Sequence, residues 1–150
     1  MPRPIKVKIK RLPDALDVKL PTRMTESAAG FDLHAAVEDS TTLAPGAIKL
    51  VPCGFSMALP EGYEAQVRPR SGLASKHGIT LINSPGTIDA DYRGQVQVAL
   101  INHSKLKFKV ERNMRIAQMV IMPVPKVTLV ETTELDKTAR GQKGFGHTGH

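Results

Sequence analysis

The sequence predicts a mainly β domain, a sandwich or barrel of many short strands. Three observations carry this prediction. The 150 residues include 11 prolines and 12 glycines spread along the chain, so the elements should be short and numerous. Short apolar or alternating runs recur between Pro and Gly turns. The length fits one domain, and because tryptophan is absent, its core should consist of Val, Ile, Leu, Met and Ala.

The first eleven residues predict a one-faced strand, because Ile5, Val7 and Ile9 alternate with lysines. The segment contains five basic residues and no acid, within a chain of net charge +7. Such a surface attracts phosphates. A solvated lysine face is nevertheless favoured over nucleic-acid binding, since no aromatic side chains are interleaved to stack on bases.

The strongest strand pattern follows the Pro45-Gly46 turn. Two apolar runs at 48–52 and 55–59 precede a second turn at 60–62, and residues 63–68 then alternate cleanly. Each run is short enough for a strand and is bounded by turn residues. This region therefore predicts three successive strands.

Residues 69–78 interrupt the strand pattern. Ser71 is suited to an N-cap, residues 73–76 can form one helical turn, and Gly78 suits its exit. With Arg70 beside it, the start of such a helix would form an anion site. The alternative is a helical connector whose arginine pairs with a surface acid.

The stretch 86–94, Gly-Thr-Ile-Asp-Ala-Asp-Tyr-Arg-Gly, is the strongest candidate for chemistry. If it is an extended hairpin arm, Asp89, Asp91 and Arg93 share one face. Such a row could activate water and hold a charged substrate. The alternative is a solvated strand edge with an Asp–Arg pair. A calcium loop is excluded, because Arg93 and Leu100 stand where oxygen ligands would be needed.

Four further strands are expected around and beyond this stretch. Residues 80–85 form an apolar run ending in a turn, and 95–101 carry two glutamines on the same nominal face as Asp89. Residues 105–110 alternate lysines with apolar residues. The segment 113–124 is helix-like in composition, but Pro123 and its β-branched residues favour a buried strand.

The glycine-rich tail, 140–150, is expected to be a flexible arm. It resembles a phosphate loop, but His147 replaces the required lysine, so a P-loop NTPase is excluded. Composition alone would predict a disordered tail. Arg140 and Phe145 nevertheless resemble a phosphate contact and a stacking lid.

Cellular location is inferred from what the sequence lacks. The single cysteine, Cys53, cannot form an intramolecular disulfide, which favours a reducing compartment. No apolar run reaches the length of a membrane span, and the charged amino terminus lacks a signal-peptide core. A cytoplasmic protein without a membrane partner is expected.

Five separated stretches, in order, resemble the five motifs of the homotrimeric dUTP pyrophosphatases (dUTPases). They occupy 29–33 (Ala-Gly-Phe-Asp-Leu), 69–74 (Pro-Arg-Ser-Gly-Leu-Ala), 86–94, 115–119 (Arg-Ile-Ala-Gln-Met) and 140–149. The resemblance covers nearly the whole chain from residue 27. One departure is His147, where the family usually has serine.

This resemblance implies a jelly-roll-like distorted barrel with one short helix, the β-clip fold of dUTPases. It implies a body of residues 1–138 and an arm of 139–150 that closes over a neighbouring subunit's site, with three sites shared at the interfaces of a homotrimer. The implied enzyme is a dUTP diphosphatase that cleaves dUTP to dUMP and pyrophosphate with Mg²⁺. Its activity would keep uracil out of DNA and supply dUMP for dTMP synthesis.

The resemblance also implies roles for particular residues. Asp89 would be the general base, and Asp32 would order water around a metal held mainly by the substrate phosphates. Tyr92 would pack under the deoxyribose and exclude a 2′-hydroxyl. The remaining implied contacts are with phosphate (Arg70, Ser71, Gly72, Gln118, Arg140) and with uracil or the closing arm (Asn83, Thr87, Ile88, Gln97, Phe145, Gly146).

Two rival functions remain at this point. A dCTP deaminase shares the fold, but its arginine-serine-serine pattern is missing at 70–72. The other rival is a basic nucleic-acid-binding module without catalysis. The products formed from each nucleotide distinguish the three.

Overall fold

The computed structural model describes residues 3–149, and it confirms the mainly β prediction. Two four-stranded sheets and a two-stranded ribbon are formed, and every strand pair is antiparallel. The sheets enclose a single buried cluster of apolar side chains. Phe55 is the only aromatic among the buried apolar side chains of residues 3–149, so the core has the aliphatic composition that the sequence predicts.

The strand order places distant segments side by side. The first sheet has the order β1 (Lys8–Arg11), β4 (Ile48–Ala58), β8 (Gln95–Asn102), β6 (Ile79–Leu81). The second has the order β2 (Phe31–His34), β10 (Arg115–Pro123), β5 (Tyr63–Arg68), β7 (Gly86–Ile88). The ribbon pairs β3 (Thr41–Leu43) with β9 (Phe108–Val110), and the helices are α1 (Ser71–His77) and a 3₁₀ turn (Pro13–Ala15).

The two predicted strands at 48–52 and 55–59 are one strand, β4, with a bulge. Its pairing with β8 shifts register between Pro52 and Ser56. Gly54 lies within the bulge at φ +76°, a conformation that L side chains rarely adopt. A Cβ at this position would also overlap the side chain of Ala15. The glycine therefore lets one strand bend and continue where the local pattern suggested a break.

The amino-terminal strand is shorter than predicted. β1 begins at Lys8, and Ile5 and Ile9 remain 46% and 38% exposed. The apolar side of this segment is therefore incompletely covered within one chain. It faces a groove of about 500 Å³ that also contains Phe31, Met119 and Ile121.

The helix prediction is correct in place and wrong at its first residue. Arg70 holds the N-cap position without a side-chain cap bond, and Ser71 is the first helical residue. Gly78 ends the helix at φ +63°, as expected of a left-handed C-cap. The helix spans seven residues rather than one turn.

The predicted hairpin arm over 86–94 is also wrong in detail. β7 ends at Ile88, and the amide of Tyr92 donates to the carbonyl of Asp89 over 3.2 Å. Residues 89–92 therefore form a turn, and strand alternation cannot place Asp89, Asp91 and Arg93 on one face. The predicted strand at 105–110 is likewise confined to 108–110, because the buried Asn102 amide donates to the carbonyls of Leu43 and Leu106 and fixes a loop.

The carboxyl-terminal segment leaves the body after β10. From residue 127 to residue 149, the hydrogen bonds are all local to the segment, and nearly every residue is exposed. The division at residue 138 remains a prediction. Between residues 3 and 149, no helix is long and apolar enough to cross a membrane.

Candidate active site

A group of charged and polar side chains lies at the Arg68 end of β5 and is called here the arginine cluster (Asp32 on β2, Arg70 before α1, Arg115 and Gln118 on β10). Asp32 Oδ2 accepts from Arg115 Nη1 over 3.3 Å, and its Oδ1 lies 3.8 Å from Arg70 Nε. Arg70 Nη1 also donates to the Arg115 carbonyl over 3.3 Å. One partly buried carboxylate thus holds two arginines together, and the cluster keeps a net positive charge suited to an anion.

Gln118 connects this cluster across the sheet. The register of β10 pairs it with Asp32 on β2 and with Arg68 on β5. Its Nε2 donates to the carbonyl of Pro69 over 3.1 Å, next to Arg70. A Cβ at Gly30 would lie 2.7 Å from Gln118 Oε1, so the absence of a side chain at Gly30 leaves room for this amide.

Ser71 and Gly72 follow Arg70 at the exposed start of α1. The first amides of a helix lack partners within it. With Arg70 beside them, these amides add uncharged donors to the positive arginine cluster. This end of β5 has the chemistry of a phosphate-binding surface.

A second region, called here the β7 cleft, lies between β7 and β8. It consists of two adjoining cavities of about 60 and 280 Å³ that share Thr87, Ile88 and Gln97. Asn83 lines the smaller cavity, and a Cβ at Gly86 would lie 3.1 Å from its amide nitrogen. Side-chain amides and strand backbone without charged groups suit a neutral, planar, polar ring.

Asp89 and Tyr92 line the larger cavity of the β7 cleft. Asp89 is exposed and belongs to no ion pair among residues 3–149, so its carboxylate is available to a ligand or water. The Tyr92 hydroxyl donates to the Gln95 carbonyl over 2.9 Å. Arg93 donates to the Ala90 and Tyr92 carbonyls, so the alternative of an Asp–Arg pair does not occur here.

The two regions lie at opposite ends of β5. Ala65 pairs with Ile88, so Asp89 lies beside Glu64, whereas Arg70 follows the other end of the strand. Arg70 lies six positions after Glu64 along extended chain, a distance of roughly 20 Å at about 3.3 Å per residue. Within one chain, the arginine cluster and Asp89 therefore cannot act on the same bond.

The predicted arm residues are not brought to either region. Arg140 bonds locally through Nε to the Lys143 carbonyl over 2.8 Å, and the Phe145 side chain is fully exposed. Gly146 is exposed beside it, at φ +86°. Their implied contacts remain predictions.

One member of the arginine cluster, Arg115, and one residue near it, His34, were not predicted as site residues from the sequence. Arg115 begins the fourth motif-like stretch, which was the available signal. His34 lies two residues after Asp32 on β2, is 4% exposed, and has a buried Nδ1 without a hydrogen-bond partner. Burial lowers the pKa of His34, so the ring is neutral near pH 7.

Comparison with known proteins gives a consistent result. The sequence model of the dUTPase family matches residues 17–149. Proteins named deoxyuridine 5′-triphosphate nucleotidohydrolase from Rhizobium rhizogenes and Beijerinckia indica are 58% and 54% identical. The matches cover 93% and 99% of this chain and 90% and 94% of theirs.

Solved structures agree in fold. A mutant dUTPase of Staphylococcus bacteriophage 80alpha, solved with dUpNHpp, has a TM-score of 0.87 at 25% identity, over 97% of this chain and 99% of its own. A dUTPase from phage phi11 of S. aureus, described with a structural Mg(II) ion, has a TM-score of 0.78 at 20% identity, over 88% and 99%. The family model, the two bacterial relatives and the shared fold lead to one conclusion: this chain belongs to the dUTPase family.

Proposed function

We propose that this protein hydrolyses dUTP to dUMP and pyrophosphate. The observation that carries the proposal is a division of chemistry between two regions. The β7 cleft is uncharged and ends at a free carboxylate, Asp89, while the arginine cluster is positive. A nucleotide offers the matching parts, a neutral base and a charged triphosphate. Membership of the dUTPase family identifies the nucleotide as dUTP.

In this function, the β7 cleft binds and recognises the base and the sugar. Asn83 and the backbone from Thr87 to Asp89 hydrogen-bond uracil, and Gln97 lines the same cavity. Tyr92 packs under the deoxyribose at the mouth of the larger cavity. Asp89, the residue directly after the base-binding strand β7, accepts a proton from the water that attacks the α-phosphorus.

The arginine cluster then serves the phosphates. Attack at phosphorus builds negative charge on the surrounding oxygens, and fixed positive groups stabilise that charge without reorganising. Arg70, the amides of Ser71 and Gly72, and Gln118 supply these contacts. Arg115 joins them, because it shares Asp32 with Arg70.

Mg²⁺ is the proposed cofactor. Among residues 3–149, no group of three or more His, Cys, Asp or Glu side chains could hold a metal ion. The single carboxylate of Asp32 is already paired with two arginines, which fits a metal held mainly by the triphosphate and reached by Asp32 through water. Bound Mg²⁺ would neutralise phosphate charge. The Mg(II) ion described for the phi11 protein is a structural one, so this proposal rests on the donor set here.

We propose a homotrimer with shared sites, in which Asp89 of one subunit works with the Arg70 of a neighbour. The roughly 20 Å between them in one chain is much longer than a triphosphate. Large exposed apolar patches mark sites of interaction with other chains. Ile5 and Ile9 line the open groove beside β1, and the extended segment exposes Val127, Leu129, Val130 and Leu135 by 71 to 93%.

The arm, residues 139–150, completes the site in this proposal. Phe145 stacks on uracil, while Arg140 and Gly146 contact the phosphates. Four glycines make ordering of this segment entropically costly without a nucleotide. A chain ending at Thr138 should still form trimers and should lose most activity. Full activity in the truncated trimer would remove the arm from the site.

A reducing, cytoplasmic compartment is proposed from Cys53. It is a buried free thiol whose pKa burial raises to about 12, and it is the only cysteine in the sequence. Such a chain gains nothing from oxidising conditions.

Product analysis tests the function. Purified protein with Mg²⁺ should convert dUTP to dUMP and pyrophosphate, and should act weakly on UTP. Release of ammonia from dCTP would support the deaminase alternative instead. Binding of DNA without nucleotide turnover would support the nucleic-acid alternative, and either result would contradict the proposal.

A further inference from the structure

Tyr92 lies directly against the backbone of Gly94. A Cβ built at Gly94 would lie 2.6 Å from Tyr92 Cζ and 3.0 Å from its Cε2, and it would overlap the hydroxyl as well. No other residue could occupy this position without moving the ring. The hydroxyl also donates to the Gln95 carbonyl over 2.9 Å. The ring therefore has two contacts with the chain that follows it, one with Gly94 and one with Gln95.

The glycine is not required here by backbone conformation. Gly46 and Gly62 have φ of +78° and +86° with nothing within 4 Å of a built Cβ, so their turns need glycine for its backbone freedom. Gly94 lies outside the left-handed region, and the three atoms nearest to a Cβ built there all belong to Tyr92. The lack of a side chain at Gly94 thus leaves the space that the Tyr92 ring occupies.

That ring is 45% exposed and lines the larger cavity of the β7 cleft together with Asp89 and Gln97. Because the ring forms part of the cavity wall, its position determines which sugar fits beside Asp89. We propose that Gly94 is a positioning residue for sugar selectivity, acting through Tyr92. This inference rests on the proposed function, in which Tyr92 excludes a 2′-hydroxyl.

The competing explanation is that the contact between Tyr92 and Gly94 only stabilises the packing of this turn. A packing role predicts that Gly94→Ala lowers stability and slows dUTP and UTP hydrolysis equally. A positioning role predicts a change in the ratio of kcat/KM for dUTP to kcat/KM for UTP. Hydrolysis of dUTP, whose sugar fits beside the ring in its wild-type position, should slow more than hydrolysis of UTP, whose 2′-hydroxyl already clashes with the ring.

The experiment measures kcat/KM for dUTP and UTP in the wild type, Gly94→Ala, Tyr92→Ala and the double variant. Gly94→Ala should reduce the dUTP-to-UTP preference by about 10-fold, within the range that a single steric contact can discriminate. In the Tyr92→Ala background, the same change should alter the preference by less than about 2-fold, because residues that act as a unit are not additive. An unchanged preference in the single variant, or an equal reduction in both backgrounds, overturns the proposal.

Gly30→Ala is the matched control. It also forces a small side chain onto a neighbouring one, but at Gln118 in the arginine cluster. It should slow both substrates and leave their ratio unchanged. A ratio that moves as much in Gly30→Ala as in Gly94→Ala would show that the ratio reports general damage, and would also overturn the proposal.

Tyr92→Phe decides the question if Gly94→Ala does not assemble. It keeps the ring and the backbone but removes the hydrogen bond to the Gln95 carbonyl. The preference should fall by about 2- to 10-fold, the cost of one such bond. A wild-type preference in this variant would mean that the ring is not held as proposed.

A failure of the proposed function can be distinguished from a failure of the proposed role of Gly94. If the wild type releases no pyrophosphate from dUTP, that function is wrong, and ring placement is then tested directly. The sequence has two tyrosines, so a Tyr63→Phe protein with ¹³C-labelled tyrosine reports Tyr92 alone by NMR. Gly94→Ala should shift those signals, and unchanged signals would contradict the contact.

Discussion

The two ends of strand β5 present different solutions to positioning chemical groups. At the Arg70 end, side chains hold one another, since one carboxylate, Asp32, links two arginines. At the β7 end, the backbone determines most of the geometry, through a short strand and a turn, and the Tyr92 ring packs against Gly94. The first arrangement fixes charge, and the second shapes a cavity.

This difference fits what each end would recognise in the proposed function. Charged groups recognise an anion best when they are fixed in advance, because the protein then pays no reorganisation cost during reaction. A general base must instead be free to accept a proton, and Asp89 is exposed and outside any ion pair of the described chain. In the proposed trimer, each end would be half of a site, and the length of β5 separates the halves.

The largest effect on activity is expected from substituting Asp89, at the β7 end of β5. Asp89→Asn keeps the shape of the turn but cannot act as the base, so kcat should fall by roughly 10²- to 10⁴-fold. Binding of a non-hydrolysable dUTP analogue, measured by calorimetry, should change much less. Asp91→Asn, in the same turn and also exposed, is the matched control. If Asp91→Asn is the variant that loses turnover, the assignment of the base is wrong.

The second prediction tests whether the halves come from different chains. Arg70→Ala and Asp89→Asn should each be nearly inactive alone. In mixed trimers, one site in three combines an intact Asp89 with a neighbour's intact Arg70. Random 1:1 mixing makes three quarters of the trimers mixed, so about a quarter of all sites should regain activity.

Co-expression with two different affinity tags isolates the mixed trimers for assay. Wild type mixed with Asp89→Asn gives the control for assembly. Mixed trimers that form and remain as inactive as their parents would rule out the shared site.

A smaller effect on activity is expected from displacing one side chain of the arginine cluster, Gln118. Gly30→Ala should displace the Gln118 amide, whose oxygen lies 2.7 Å from the new Cβ, and so break its bond to the Pro69 carbonyl. Loss of one such bond should lower kcat/KM for dUTP by about 2- to 10-fold. In a Gln118→Ala background, Gly30→Ala should have little further effect. Additive losses would mean that Gly30 does not act through Gln118.

The smallest effect is expected far from both ends, where Arg112 binds Asp17 through two bonds of 2.9 and 2.7 Å. These bonds lower the pKa of Asp17 from 3.8 to about 2. A carboxyl with a lowered pKa stabilises the fold above its unfolded pKa and loses that contribution as the pH falls through the folded value. Asp17→Asn should therefore lower Tm by a few degrees at neutral pH.

The Tm difference should close between about pH 4 and pH 2. Activity at neutral pH should not change. A Tm difference that persists unchanged at pH 2 would show that the charge of Asp17 is not its source.

Local patterns in the sequence were sufficient for the strands that bury one face. The alternation in β5 and β8 and the apolar run of β10 appear in the structure where the sequence predicts them. The end of α1 at Gly78 was also predictable, because a left-handed C-cap is a local requirement. The positions of the five motif-like stretches followed from resemblance.

Features that depend on distant pairing were not predictable in this way. Gly54 looked like a break between strands, because the packing of Ala15 beside it lies 39 positions away in the sequence. Arg115 joined the cluster only through the register that pairs β10 with β2 and β5. The turn at 89–92 resembled a strand, because Asp, Ala and Tyr carry no turn signal as strong as Gly or Pro.

The length of β5 has a consequence for how the activity depends on concentration. If each site needs Asp89 from one chain and Arg70 from another, a free subunit has no turnover of its own. Specific activity is then a measure of assembly. On dilution below the dissociation constant of the trimer, the rate should fall with the third power of chain concentration rather than in proportion to it. In the proposed trimer, the spacing of six positions between Glu64 and Arg70 would thus make the reaction rate depend on mass action between subunits.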